Sequence, residues 1–178
     1  MKIENSQRLS YELMTKNDAD LLFQLDQDPE VMRYINGGKA NSRAYIENIY
    51  IPRLEGFTNH KKGWGLWKVT LMDSKKFIGW ILVRPMDFFS NAPQPNNLEI
   101  GWRFMQKFWG SGYATEAAKT IKEAFIKQCA IKQFTAIADA NNIGSINIMK
   151  KLDMSFVKKE FQQDPLGDIN VVYYQVLL

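Results

Sequence analysis

One stretch of the chain repeats apolar residues at the spacing of an α-helix. After Gly112, apolar positions recur every three or four residues as far as Cys129, and most of the charged residues between them fall on the opposite side of the helix. This pattern predicts a long amphipathic helix with one face on the protein core. That face consists of Ala114, Ala117, Ala118, Ile121, Ala124, Phe125 and Cys129.

Other segments alternate with the period of a β-strand. In residues 98–104, every second residue from Leu98 to Phe104 is large and apolar. Residues 64–72 and 76–84 are rich in bulky and β-branched side chains and flank Asp73-Ser74-Lys75, so we expect an antiparallel hairpin. Further strands are predicted at residues 9–13, 134–138, 156–161 and 169–177, the last two paired across a turn at Pro165-Leu166-Gly167.

Capping residues and prolines mark three more helices. The first begins at Asn17 or Asp18 and ends near Asp28-Pro29, because proline disfavours helical geometry in the residue before it. The second begins at Asn41 or Ser42 and ends near Pro52. The third runs from Asn142, its capping residue, to Leu152.

No helix or strand is predicted for two segments. Residues 31–35 are largely apolar and end at Gly37-Gly38, and residues 87–97, with two prolines and three asparagines, are predicted to form a loop. The full order is strand, two helices, three strands, helix, strand, helix and two strands. This order predicts an α/β fold with a mixed sheet.

Length and composition fit one globular domain over residues 1–178, with 46% hydrophobic and 24% charged residues. No apolar run approaches the ~20 residues that span a bilayer, and the first residues do not resemble a signal peptide. A single cysteine, Cys129, suits a reducing cytoplasm. The net charge of +4 is spread over scattered lysine pairs, which is typical of a solvated surface and also suits an anionic ligand.

A pair of glycines, Gly110 and Gly112, separates the strand at residues 98–104 from the long helix. We call residues 109–114 the glycine loop. Glycine lets the backbone approach a ligand closely, and a helix start offers free N–H donors, so the loop predicts a phosphate site. The alternative is a simple turn. A dinucleotide site would need a third glycine at Thr115, and a P-loop would need a lysine after Gly112; neither is present.

Four motifs together resemble the GCN5-related N-acetyltransferase (GNAT) superfamily, and within it the branch that acetylates ribosomal-protein N-termini at alanine or serine. They are Arg8-Leu9 with Asn17-Asp18-Ala19 and Asp28-Pro29-Glu30-Val31-Met32, then Glu99-Ile100-Gly101-Trp102, then Trp109-Gly110-Ser111-Gly112-Tyr113-Ala114-Thr115-Glu116-Ala117, and finally Asn142-x-x-Ser145 with Lys151-Leu152. The resemblance covers nearly the whole chain. It implies a mixed, mostly antiparallel sheet of about seven strands with helices on both faces and one splayed strand pair.

The resemblance also implies acetyl-CoA as the donor, an amine as the acceptor and no metal. The amides of the glycine loop would hold the diphosphate, and amides near the strand end would bind the pantetheine arm. The implied cofactor-binding residues are Phe104, Met105, Lys107, Trp109, Gly110, Ser111, Gly112, Tyr113, Ala114, Asn142 and Ser145. The chain departs from the superfamily at Lys107, where Arg or Gln is usual, and at Asp153, where glycine is usual.

Two residues are candidates for the chemistry. An amine has a pKa near 10, so a base must accept its proton, and Glu99 is the best candidate, with a structural ion pair or an exposed carboxylate as the alternative. The superfamily's tyrosine acid is replaced by Met149. Ser145 is then the candidate donor to the leaving sulfur, although it also suits an ordinary first-turn serine. Asn142 is expected to bind the arm or to cap its own helix.

The acceptor remains open between a protein N-terminus, which the branch favours, and a small amine such as a polyamine, an amino acid or an aminoglycoside. Asp26, Asp28 and Glu30 are expected to attract a cationic amine. Neither membrane binding nor direct nucleic-acid binding is expected, and the protein is expected to be a monomer or a homodimer. Two other hypotheses for the function are a CoA-binding sensor or interaction module without catalysis, and a nucleotide-binding regulator that uses the glycine loop.

Overall fold

The sheet combines an antiparallel order with one parallel pair of strands. A computed structural model describes residues 1–162 and 169–178. In this part of the chain the strand order is β1-β2-β3-β4-β5-β7-β6, and β4 and β5 are the parallel pair. The predicted mixed sheet is therefore confirmed, whereas the predicted turn at Pro165-Leu166-Gly167 lies outside the described residues. The strands are β1 (Leu9–Leu13), β2 (Gly65–Leu71), β3 (Phe77–Met86), β4 (Gln94–Phe104), β5 (Gln133–Asp139), β6 (Ser155–Gln162) and β7 (Ile169–Leu177).

Helices cover both faces of the sheet. Because successive residues of a strand point to opposite faces, Leu66 and Trp67 of β2 belong to two separate buried clusters. The cluster of Leu66 is covered by the helices that precede β2, and the cluster of Trp67 by the two later helices. The helices are α1 (Ala19–Leu25), α2 (Pro29–Asn36), α3 (Arg43–Tyr45), α4 (Ile51–Phe57), α5 (Tyr113–Gln128) and α6 (Ile143–Lys151), with a π-helical turn at Ile46–Tyr50 and 3-10 turns at Lys16–Asp18 and Gln106–Phe108.

The parallel pair separates soon after it forms. β4 and β5 pair only from Asn97 and Gln133 to Glu99 and Thr135. Beyond Glu99, β4 stays with β3 as far as Phe104, while β5 pairs with β7 along its whole length. A gap therefore opens between the two strands, and the predicted splayed pair is confirmed.

The helix α2 is absent from the elements predicted above. Asp28-Pro29 predicts the end of the first helix, but the same residues begin the next one. The Asp28 side chain accepts a hydrogen bond from the Glu30 amide, Pro29 takes the first helical position, and Gly37 ends α2 in a left-handed conformation.

Two predicted boundaries were wrong. The helix expected to end near Pro52 continues to Phe57. Pro52 lies in the first turn of α4, just after the π-helical turn at Ile46–Tyr50, and a missing N–H is tolerated best in a first helical turn. The loop predicted at residues 87–97 is shorter, since β4 already begins at Gln94. Gln94 pairs with Met86 after a register shift, and its side chain donates to Asp87 and accepts from Asn97.

Candidate active site

A cavity of about 580 Å³ lies where β4 and β5 separate. It is lined by the glycine loop, the first turn of α5 and α6, and also by α2 and by Arg103 near the end of β4. The cavity is therefore lined by elements that cover the two different faces of the sheet.

The glycine loop presents backbone donors to this cavity. Gly110 and Gly112 both have left-handed conformations, with φ of 74° and 80°. Gly112 caps α5 without a side-chain hydrogen bond, so the first N–H groups of this 16-residue helix have no capping partner. A Cβ at Gly110 would meet open space. Free N–H groups at a helix start, with room beside them, fit a diphosphate well.

Arg8 fastens the glycine loop from outside, which the sequence did not predict. Its Nη1 donates to the Ser111 carbonyl at 3.1 Å, its Nε donates to Glu116 at 2.7 Å, and its guanidinium lies 4.3 Å from the centre of the Tyr113 ring. Ser6 also donates to Glu116 at 2.7 Å. The loop is thereby held against β1 before any ligand binds.

The contacts with Ser6 and Arg8 lower the pKa of the Glu116 carboxyl. Burial acts to raise its pKa, but the hydrogen bonds from Ser6 and Arg8 outweigh burial and leave the pKa below the usual glutamate value. The carboxylate is consequently ionised and paired with Arg8 near neutral pH.

The end of β4 offers one free amide rather than two. The Met105 N–H donates to the Ile78 carbonyl at 2.9 Å, so it is not available to a pantetheine arm, contrary to the expectation for Met105. Successive N–H groups of a strand point to opposite edges, and the Phe104 N–H therefore faces the gap. The Phe104 carbonyl accepts a hydrogen bond of 2.8 Å from the Trp109 indole, which ties the strand end to the glycine loop.

Glu99 lies at the last paired position before the gap, and it is not among the residues that line the cavity. Its carboxylate forms an ion pair with Arg84 Nε at 2.8 Å, and its side chain is 18% exposed. The pair follows from the register, since Arg84 lies directly opposite Glu99 on β3. The structural ion pair weighed in the sequence analysis is therefore present.

Ser145 lies in the cavity wall beside Trp102. The Trp102 indole donates to Ser145 Oγ at 3.2 Å, and this contact leaves the hydroxyl proton of Ser145 unused. The Asn142 side chain accepts from the Ser145 amide at 3.0 Å, so Asn142 caps α6 as the structural alternative expected.

The predicted site residues divide into two groups. Met105, Lys107, Ser111 and Glu99 do not line the cavity; Lys107 is exposed and its ammonium lies 5.3 Å from the Phe108 ring centre. Those that do line it are Phe104, Trp109, Gly110, Gly112, Tyr113, Ala114, Asn142 and Ser145.

Arg103 is a cavity residue that the sequence analysis did not single out. Its Nη1 donates to Asp26 at 2.5 Å, and the side chains of Arg103 and Asp26 are only 10% and 2% exposed. Asn41 donates to the other Asp26 oxygen at 2.7 Å. Burial raises the pKa of the neighbouring Tyr50, with Arg103 opposing the rise and Asp26 adding to it.

The acidic residues expected to attract a cationic amine already bind other groups of the protein. Asp26 pairs with Arg103, Asp28 caps α2, and Glu30 forms an ion pair with Arg33 at 3.5 Å.

Within residues 1–162 and 169–178, no group of three or more His, Cys, Asp or Glu side chains is placed to hold a metal ion. None of the helices described there has the length and apolar character to cross a membrane.

Known proteins resemble this chain in sequence. The sequence model described as "Acetyltransferase (GNAT) domain" matches residues 8–155. The uncharacterized N-acetyltransferase YnaD of Bacillus subtilis is 29% identical over 148 residues, which cover 80% of this chain and 78% of YnaD. FsC-acetyl coenzyme A-N(2)-transacetylase of Aspergillus fumigatus is 24% identical over 146 residues, which cover 81% of this chain and 61% of that protein.

Solved structures share the fold over nearly the full length. A GNAT-family acetyltransferase from Bacillus anthracis has a TM-score of 0.79 and 23% identity, with coverage of 99% of this chain and 98% of that one. The RimL ribosomal L7/L12 α-N-protein acetyltransferase in complex with coenzyme A also has a TM-score of 0.79, at 12% identity, with coverage of 100% and 98%. On the match over residues 8–155, the chain belongs to the GNAT family of acetyltransferases, which transfer an acetyl group from acetyl-CoA to an amine.

Proposed function

We propose that the cavity binds acetyl-CoA with the diphosphate on the glycine loop, and that an amine enters from the side of α2. The observation that carries this proposal is the uncapped start of α5 beside two left-handed glycines, at the mouth of the gap between β4 and β5. The Phe104 amide and the Ser145 hydroxyl lie further along the same cavity. Cys129, the chain's one cysteine, fits the cytoplasmic setting that we propose for the reaction.

Acetyl-CoA supplies the acetyl group as a thioester, which a neutral amine attacks directly. We assign the acceptance of the amine proton to Glu99, acting through water because its side chain does not line the cavity. The ion pair with Arg84 fixes the orientation of this carboxylate. Ser145 donates a hydrogen bond from its hydroxyl to the departing thiolate and keeps its proton, with Trp102 holding the oxygen in place.

The acceptor that we propose is a protein N-terminus or a small amine. The similarity in fold to the RimL enzymes supports the first. The fold also resembles that of aminoglycoside acetyltransferase AAC(6')-Ib in its coenzyme A complex, with a TM-score of 0.72 and 15% identity over 95% of this chain and 94% of that one. This similarity supports a small amine as the acceptor.

Thermal unfolding tests the binding step. Acetyl-CoA at ~100 times its dissociation constant should add roughly 2.7 kcal/mol to the free energy of unfolding. NAD and ATP at equal concentration should add much less. A larger stabilisation by NAD or ATP would contradict the proposal and favour a nucleotide-binding regulator.

Release of the CoA thiol tests the chemical step. Glu99→Gln should lower kcat at neutral pH, and the loss should shrink at high pH, where more of the amine is already neutral. Glu160→Gln is the control, because it removes a carboxylate from an exposed ion pair with Lys158 on β6, outside the residues that line the cavity. Tight acetyl-CoA binding without turnover of any amine would instead indicate a CoA-binding module without catalysis.

A further inference from the structure

The acceptor end of the cavity contains a buried cation whose hydrogen bonds are incomplete. Arg103 lines the cavity on the same side as α2, and its side chain is 10% exposed. Arg103 Nε is buried and has no hydrogen-bond partner within the described residues. A buried, charged N–H donor without a partner is unfavourable, and because the same side chain lines the cavity, a carboxylate bound to the guanidinium would offset part of that cost.

The charged residues that line the cavity offer no free carboxylate to a cationic acceptor. Among the described lining residues, Glu30 is acidic, whereas Arg33, Arg103 and Lys151 are basic. Glu30 forms an ion pair with Arg33, and Arg103 forms one with the buried Asp26. A polyamine or an aminoglycoside would bring several positive charges to this wall without a free carboxylate to receive them.

Arg103 is also held in a fixed position. Asp26 binds Nη1, Met32 Sδ lies 3.7 Å from the same nitrogen, and the guanidinium carbon is 5.2 Å from the centre of the Trp80 ring. A planar guanidinium that is pinned at one nitrogen still has donors in a fork that matches a carboxylate. Lysine in this position would lack that fork.

We propose that Arg103 binds a carboxylate of the acceptor, so that the preferred substrate is an amine that also bears a carboxylate. This inference rests on the proposed function and narrows its acceptor. The same chemistry is offered by a free amino acid and by a protein N-terminus with an acidic residue close to the amine. Arg103 is here a specificity-determining residue that contacts the acceptor.

The experiment compares matched acceptors after acetyl-CoA binding has been established by thermal unfolding. Free amino acids are paired with their amides and their decarboxylated amines, and short peptides with an acidic second residue are paired with their amide counterparts. Turnover is followed by thiol release, and binding by thermal unfolding of the protein in the presence of CoA. We expect kcat/KM to be at least tenfold higher for the carboxylate-bearing member of the productive series.

The amino-acid series and the peptide series distinguish a free amino acid from a protein N-terminus as the acceptor. A preference confined to free amino acids supports a small-molecule acceptor, and one confined to peptides supports a protein N-terminus. Equal kcat/KM within every pair, better turnover of polyamines or aminoglycosides, or no binding and no turnover of any carboxylate-bearing amine would overturn the inference. Absence of acetyl-CoA binding would instead contradict the proposed function itself.

The residue is tested with variants that preserve the fold. Arg103→Gln alone leaves Asp26 buried without its cation, so the double variant Asp26→Asn with Arg103→Gln is made alongside it. The double variant should lose the tenfold preference yet keep its stabilisation by acetyl-CoA. Arg33→Gln, which removes an exposed cation from the same cavity, should retain the preference. An equal loss in Arg33→Gln would overturn the assignment to Arg103.

Discussion

Arg8 and Glu116 are separated by 108 residues in the chain, yet their side chains form an ion pair of 2.7 Å behind the glycine loop. Through its second contact, to the Ser111 carbonyl, Arg8 joins β1 to the loop that faces the cavity. The geometry of the loop in the free protein therefore depends on a residue that lies outside the cavity.

We expect Arg8→Gln to weaken acetyl-CoA binding, with an increase of several-fold in KM and a smaller change in kcat. Loss of charge-assisted hydrogen bonds should also lower the free energy of unfolding by about 1–2 kcal/mol. Arg8→Lys should not restore binding, because an ammonium cannot serve both acceptors with the planar fork of arginine. Lys2→Gln removes a fully solvated ion pair with Glu4 and should change neither quantity. An unaltered KM in Arg8→Gln would show that the loop holds its shape without this contact.

The lowered pKa of Glu116 predicts how stability changes with pH. The folded pKa lies below the usual value of 4.5, so the folded state favours the ionised carboxyl more than the unfolded state does. The stabilisation is fully present above pH 4.5 and is lost as the pH falls through the folded pKa. The difference in free energy of unfolding between the protein and Glu116→Gln should consequently shrink under acid conditions. Glu123→Gln, on the same helix, is the control, and a difference that grows in acid would refute the assignment.

Gly110 allows the backbone geometry to be separated from ligand binding. Gly110→Ala should cost about 1–2 kcal/mol of stability, because alanine tolerates a left-handed conformation poorly. Gly37 is a matched control, since it has the same φ of 74° and equally open space around a new Cβ, but does not line the cavity. Both variants should lose similar stability, while only Gly110→Ala should weaken acetyl-CoA binding, measured by calorimetric titration. Equal affinities would argue against contact between the diphosphate and the loop.

Ser145 is expected to affect turnover rather than binding. Ser145→Ala removes the hydroxyl that we assign to the departing sulfur, and kcat should fall by roughly tenfold with little change in the KM for acetyl-CoA. Ser145→Thr keeps a hydroxyl and should recover part of the loss. Steady-state kinetics on all three proteins provide the comparison. If Ser145→Ala raised KM and left kcat intact, Ser145 would be a binding residue only.

Local patterns were enough to predict the strands and α5, whereas the splayed pair within the sheet was implied by the family resemblance. The alternation in β4 and the apolar face of α5 both depend on residues that are two to four positions apart. Helices and strands repeat over such short distances, so these patterns can be recognised in the sequence. The signals for α2 were also local: Asp28, Pro29 and Gly37 mark its two ends. Because a proline fits the end of one helix as well as the first turn of the next, Pro29 alone does not distinguish the two.

The contacts that shape the site are not local, and no pattern in the sequence encodes them. Glu99 meets Arg84 because of the β3–β4 register, and a register is set by packing and turns together. Arg103 meets Asp26 across 77 residues, through the docking of α1 on the sheet. Glu99 was therefore recognisable from the sequence as a candidate base. Its pairing with Arg84 and the place of the buried Arg103 in the cavity required the three-dimensional fold.

Asp153 shows how a departure from the family pattern is absorbed by local geometry. The residue follows α6 with a φ of 62°, a left-handed conformation in which glycine is the usual choice and aspartate one of the better substitutes. Asp153→Gly should thus raise the free energy of unfolding by up to about 1 kcal/mol, while Asp153→Ala should lower it. Lys122 helps to isolate the effect, because its ammonium is bound at 2.7 Å to the Leu152 carbonyl and lies 4.0 Å from Asp153. Urea unfolding of the two variants, with Lys122→Met as a background, distinguishes backbone relief from loss of charge. If Asp153→Gly were less stable than the parent protein in both backgrounds, the carboxylate itself, and not the turn, would account for aspartate at this position.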